Sequence, residues 1–364
     1  MNRFLKPGLL LLGVLVASDV FANDIETSQI SGTLMFDYGF SNEEDQGFSS
    51  EIRRARIALK HSLNDDWQAK LQVSFDEENS TSEIGDAYVR FKGIANLNIT
   101  MGKMKEAFGL ENMTSSKNIT FLERSMASNA FGPGKNTGLM LSGSPGNVTW
   151  SVALMDLPSE TQENAPYAIT SRMTWAPVQA ENQMWHVGFS SSLRQLNGEE
   201  FEIDERSELH NSQKIIATGK IATEQLQLTG VEFAWLKNSW SLQGEYMSAN
   251  LQAVDASEDG TFDGYYLQGS YFLNADKRRY KTGVFTGIKP NSKEGAWELT
   301  SRYSVLDTSE ASEGSEVQTA TLGVNYYYHD NLRLMSNVLH SQSSSQTGGD
   351  TSSNGASFRI QYLF

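Results

Sequence analysis

Between Phe358 and Phe364 the chain alternates without a break. Phe358, Ile360, Tyr362 and Phe364 fall on one face of a strand, and Arg359, Gln361 and Leu363 on the other. Successive side chains of a strand point to opposite faces, so this segment has an aromatic face and a mostly polar one. That division suits a strand with lipid outside and a wet lumen inside. After residue 22 the sequence contains no apolar stretch long enough for a spanning helix. Only helices and closed barrels satisfy every backbone group in lipid. A membrane protein of this composition is therefore expected to be all-β, a transmembrane antiparallel β-barrel. The negative mean hydropathy agrees, because only alternate residues of such a strand meet lipid.

The first residues read as a targeting segment. Arg3 and Lys6 precede an apolar run from Leu9 to Ala17, and Val20-Phe21-Ala22 ends on a small residue. Residues 1–22 are expected to be a secretory signal peptide cut after Ala22, leaving 23–364 as one barrel domain. The chain has no cysteine, which removes disulfides and thiolate metal sites and suits passage through an oxidising periplasm. Its formal charge of −15, spread uniformly, would argue against anionic partners, so the placement of charge matters more than its sum.

Sixteen alternating segments are legible, at 29–41, 50–62, 67–77, 83–92, 97–105, 137–144, 148–156, 167–176, 183–195, 226–237, 240–253, 262–273, 296–307, 317–328, 332–343 and 356–364. Tight turns with Asn, Asp, Gly or Pro chemistry at 63–66, 144–147, 237–239 and 329–331 alternate with longer polar connections. Short periplasmic turns, longer outer loops and an even strand count are the pattern of a transmembrane barrel. Parity puts both termini at the periplasmic end. It also puts the long segment 274–295 there, where a short turn is expected. Trp67, Leu71, Val73 and Phe75 mark a lipid face, as do Trp185, Val187, Phe189 and Leu193, while Trp67, Trp240 and Trp297 stand at strand starts as an interface girdle would.

Phase assigns the lumen. With Ala55, Ile57 and Leu59 toward lipid, Arg54, Arg56 and Lys60 point inward and Arg53 outward. The same reasoning turns Lys70, Asp76, Asp86 and Arg90 inward, with Arg172, Arg194, Arg302, Arg333 and Arg359 on later strands and Glu232, Glu245 and Glu298 as further acids. The lumen is then net basic although the chain is acidic, the excess acid sitting in loops such as Glu43-Glu44-Asp45. Rings of Arg and Lys favour anions, and guanidinium suits phosphate because its donors match two oxygens at once. The competing reading is a wet, internally paired lumen, and Asp86 among bases is either a structural partner or a brake on binding. Lys105 is ambiguous, since strict alternation with Leu97, Ile99 and Met101 puts it toward lipid unless the strand ends or bulges there.

Two stretches carry a more specific signal: RRARIALKHSLNDDWQAKLQVSFDE from Arg53 followed by IGDAYVRF from Ile84, and GKMKEAFGLENMTSSKNITFLER from Gly102. Together they resemble the phosphate-selective porins of the O and P family. The terminal strand ending in Phe364 likewise resembles that of bacterial outer-membrane proteins. The resemblance implies a trimeric barrel of about sixteen strands whose long third outer loop folds into the pore, a basic lumen conducting phosphate or polyphosphate, and Lys117 as the loop's anion-facing base.

The expectation is thus a passive, anion-preferring porin of the bacterial outer membrane, with inorganic anions such as phosphate, outer-membrane lipid and lipopolysaccharide, and a homotrimer as partners. No cofactor, metal or nucleic acid is expected. A general non-selective diffusion porin is the alternative. A barrel hydrolase, with His340 beside Ser341 to Ser345 as its one candidate constellation, is a more distant one.

Overall fold

The computed structural model describes residues 28–42, 47–76, 81–159, 164–345 and 349–364. Residues 1–22, the acidic run 43–45 and the side chain of Asp76 lie outside the described residues, and the expectations on them with it. Sixteen strands form one closed antiparallel barrel: β1 Ser28–Ser41, β2 Gly47–Ser62, β3 Trp67–Asp76, β4 Thr81–Ile94, β5 Leu97–Lys105, β6 Lys135–Gly143, β7 Val148–Asp156, β8 Tyr167–Ala180, β9 Gln183–Gln195, β10 Ile221–Lys237, β11 Trp240–Ala253, β12 Gly260–Phe272, β13 Ala296–Asp307, β14 Ser315–His329, β15 Leu332–Ser345 and β16 Gly349–Leu363. Each alternating segment of the sequence corresponds to one of them.

The seam between β1 and β16 removes the sheet edges, pairing Thr33 with Leu363 through to Ser41 with Gly355. The terminal aromatic has a mechanical part in it. The Gly32 N–H donates to the Phe364 carbonyl at 2.7 Å. A Cβ on Gly32 would fall 2.0 Å from the Phe364 ring, so the ring lies where only glycine leaves room. Gly32→Val is expected to displace Phe364 and slow barrel closure. The check is the refolded fraction seen as a heat-shifted band on a gel, and a wild-type fraction would contradict it.

Exposed apolar residues ring the outside, among them Trp67, Leu71, Phe75, Val187, Phe189, Leu193, Leu299 and Tyr303. At the periplasmic end Trp67 packs on Phe91, Trp240 on Tyr271 and Trp297 on Tyr326, with ring centroids 4.4–4.9 Å apart. These pairs anchor the barrel at the interface.

The interior departs from a uniformly polar lumen. Leu226, Leu228, Met247, Ala249, Leu251, Phe262, Leu306 and Val317 are buried together with Phe108, Met126, Phe131, Ile203 and Ile216. The first eight lie on β10–β14, while the last five come from the connections 106–134 and 196–220. These two connections are long enough to bring an apolar core of their own, and it is buried against the β10–β14 wall. The misfit segment 274–295 has the same explanation. It forms a hairpin, Arg279–Lys281 with Val284–Thr286, and Phe285 is buried against Leu110, Met184, Ala234 and Leu236. It is a periplasmic connection that turns inward.

Candidate functional site: a basic wall facing the third outer connection

Residues 106–134 follow β5 and carry two short helices, α1 Leu110–Met113 and α2 Met126–Phe131. The motif Phe108-Gly109-Leu110-Glu111 builds the first turn. Gly109 has φ +68°, and a Cβ there would lie 2.8 Å from the Glu245 carboxylate. The N–H groups of Leu110 and Glu111 donate to Glu245 at 2.7 and 2.6 Å. Glu111 in turn accepts from the N–H and hydroxyl of Ser125, both at 3.0 Å, which joins the two helices. One carboxylate on the wall and one in the connection thus fix its backbone.

Five of the arginines assigned to the lumen bond to acids and carbonyls of the connections and neighbouring strands. Arg359 donates to Asp37 at 2.6 and 2.7 Å, to Glu123 at 2.7 Å and to the Leu122 carbonyl at 2.5 Å. Arg333 donates to the carbonyls of Ile119 and Thr120. Arg302 meets Glu208 and the Glu123 carbonyl, Arg194 meets Glu106 at 3.0 Å, and Arg172 meets Glu232 and the Gly283 carbonyl. Arg302, Arg333 and Arg359 are 3% exposed or less. Buried and bonded to acids and backbone carbonyls of the connections, these three side chains act as struts, whereas alternation alone phases them like Arg54 and Arg56. The physical reason is that each connection brings acids or bare carbonyls that must find donors once water is excluded.

The remaining bases gather on the opposite wall, β2 to β6. Arg54 stands 4.0 Å from Glu123, and its Nε has no hydrogen-bond partner. Arg56 donates to Ser116 at 3.2 Å. Lys70 and Lys135 grip the two oxygens of Asp86 at 2.5 and 2.8 Å. Arg90 donates to Thr100 at 3.0 Å and lies over the Tyr88 ring. Lys60 is exposed directly opposite Lys70 in the register. Lys117 contributes its carbonyl to Gln361, and its ammonium makes no ion pair among the described residues.

Arg53 also belongs here, against the alternation that placed it outside. The register shifts between Met35, which pairs with Arg54, and Phe36, which pairs with Ile52. Arg53 is the extra residue of that bulge, and it turns inward beside Arg54 to chelate Glu123 at 2.8 and 2.9 Å. Lys105, left ambiguous by alternation, hooks into the connection through the Asn112 carbonyl at 2.8 Å. Arg124, Lys135, Arg54 and Arg56 are all close enough to act on it. The wall therefore assembles Arg53, Arg54, Arg56, Lys70, Lys105 and Lys135, with Glu123 and Asp86 as the carboxylates bonded into it, while Arg124 of the connection donates to the Glu111 and Thr114 carbonyls at 3.1 and 2.9 Å. Burial would raise the Glu123 carboxyl, but Arg53, Arg359 and Arg54 hold it well below the usual carboxylate range. Asp37 and the inward role of Arg53 were not singled out from the sequence, and alternation left Lys105 undecided. Two adjacent arginines in a strand were the available sign of the bulge.

The sequence comparisons agree with this architecture. A family model described as phosphate-selective porin O and P matches residues 29–364. Porin O of Pseudomonas aeruginosa is 27% identical over 402 residues, covering 95% of this chain and 90% of that protein. The anion-selective porin from Comamonas acidovorans superposes with a TM-score of 0.65 at 11% identity, over 93% of this chain and 99% of that one. The outer membrane channel DcaP of Acinetobacter baumannii gives 0.59 at 12% identity, over 93% and 97%. Likeness at such identities is likeness of fold, whereas the match along nearly the whole described length is one of family. The chain is a bacterial outer-membrane β-barrel belonging to the phosphate-selective porin O and P family.

Proposed function

We propose that this barrel is a passive, anion-preferring channel for phosphate or polyphosphate, with Arg53, Arg54, Arg56, Lys60, Lys70, Arg90, Lys105, Lys117, Arg124 and Lys135 as its conducting face. The observation that carries this reading is the separation of bases into two kinds. The arginines on β8, β9, β13, β15 and β16 are tied to acids or to backbone carbonyls of the connections, while the bases on β2 to β4 outnumber their carboxylate partners. Successive inward bases from Arg53 toward Lys60 and Arg90 offer an anion several weak sites, and conduction needs entry without trapping. The 106–134 connection narrows the path beside this wall. Asp86, shared by two lysines, tempers their pull on an anion.

The test is chloride current through the reconstituted protein with phosphate added. Phosphate is expected to reduce that current, and the reduction should weaken in Arg54→Gln. A chloride current indifferent to phosphate would favour a general diffusion pore, which the many internally paired arginines would also suit. Family membership points to a channel rather than an enzyme. The ring nitrogens of His340 meet Asn354 at 3.0 Å and Gln342 at 3.3 Å. A homotrimer in contact with lipopolysaccharide completes the proposal. Unheated protein extracted in mild detergent is expected to migrate as a heat-sensitive species of three chains, and a strictly monomeric band would count against assembly.

A further inference from the structure

Outside the basic wall, one carboxylate occupies a site built like an anion pocket. Glu208 sits in the outer connection 196–220, in the turn joining the hairpin strands Asp204–Arg206 and Lys214–Ala217, and is 4% exposed. Its Oε2 accepts from Arg302 Nε at 2.9 Å and Nη2 at 2.5 Å, with Thr321 Oγ1 at 3.4 Å. Its Oε1 accepts from Ser304 Oγ at 2.5 Å and from the Met126 N–H at 3.2 Å. Two guanidinium donors, two hydroxyls and a backbone N–H converging on one small anion is the chemistry of oxyanion recognition. The occupant arrives at a conformational cost, since Glu208 is a non-glycine residue with φ +68°. Burial pushes its carboxyl above the ordinary range against the pull of Arg302. Glu111 also faces the pocket, 3.4 Å from Arg302.

We propose that Arg302, Ser304, Thr321 and the Met126 N–H form a second oxyanion site, in which the Glu208 carboxylate stands where a phosphate would bind. The proposal rests on the anion-conducting reading for the identity of its ligand. Strain at Glu208 and competition from Glu111 make the tethered carboxylate a displaceable occupant. Displacing it exchanges one anion for another on the same donors and frees residues 203–218 from Ser304, Thr321 and α2. Such a site holds a phosphate beside the Arg53–Arg56 wall, since Arg302 also donates to the carbonyl of Glu123, the residue that Arg53 chelates.

The test removes the tethered occupant from the full-length protein and titrates inorganic phosphate by calorimetry. Glu208→Ala is expected to bind one more phosphate per chain than wild type, or to bind phosphate about tenfold more tightly, the scale of one charge-assisted contact. Glu208→Gln keeps the shape of the side chain, secures the test if the Ala variant does not fold, and is expected to shift in the same direction by less. Adding Arg302→Gln should abolish the gain. Stoichiometry and affinity equal to wild type in the folded Glu208 variants would overturn the proposal. So would a gain that survives Arg302→Gln. The wild-type reversal potential, which Glu208 does not decide, separates failure of this site from failure of the channel reading.

Discussion

Replacing Arg53, Arg54 and Arg56 together by Gln is expected to lower the anion-to-cation permeability ratio about tenfold. Each guanidinium several ångströms from a passing ion contributes on the order of 0.5 kcal/mol even at the dielectric constant of water, and more where the wall excludes it. Three such losses leave Glu123 without its main counter-charges from β2, with Arg359 as its remaining partner. The effect is compounded because an acid is unmasked as bases are removed. For the same reason Arg53→Gln alone should cost at least as much selectivity as Arg54→Gln, although strict alternation would have made it a harmless outer substitution. A reversal-potential series on the two single variants checks this. A silent Arg53→Gln would show that the bulge does not deliver that side chain to the ion path.

Glu245→Ala is expected to release the 106–134 connection. The Glu245 carboxylate accepts from the N–H groups of Leu110 and Glu111 and from the Tyr266 hydroxyl at 2.5 Å. Its loss strands buried donors at a cost of about 1–3 kcal/mol each. The strand beneath remains paired on both sides, so the barrel should still form while α1 loses its attachment. Single-channel conductance should rise and become noisier, with selectivity reduced. A quiet channel of wild-type conductance would contradict the role given to Glu245.

The barrel was legible because its signal is local. Period-two alternation, Asn and Asp turns and the strand-start tryptophans each report on a few neighbouring residues, and sixteen such segments leave little freedom. What alternation could not convey is whatever depends on a second layer inside the barrel. Leu226, Leu228 and Met247 are inward and apolar because connections fold against them, a fact written in residues far away in sequence. Arg302, Arg333 and Arg359 were correctly phased inward but could not be told from Arg54 and Arg56, since their partners Glu208, Thr120 and Asp37 come from distant segments. The bulge at Arg53 shows the limit most plainly, because one extra residue reverses the phase of its side chain. The motif at Phe108 to Glu111 identified the family from its residues. The mechanical reason for it, a glycine and two N–H groups seated on Glu245, needed the strand it packs against.

The most direct measurement of the central claim is the zero-current potential of the wild-type channel in a planar bilayer under a tenfold gradient of potassium chloride. The basic wall predicts a potential of the sign set by chloride moving down its gradient, shrinking as phosphate is added. A potential near zero, or one of the sign set by potassium, would contradict it.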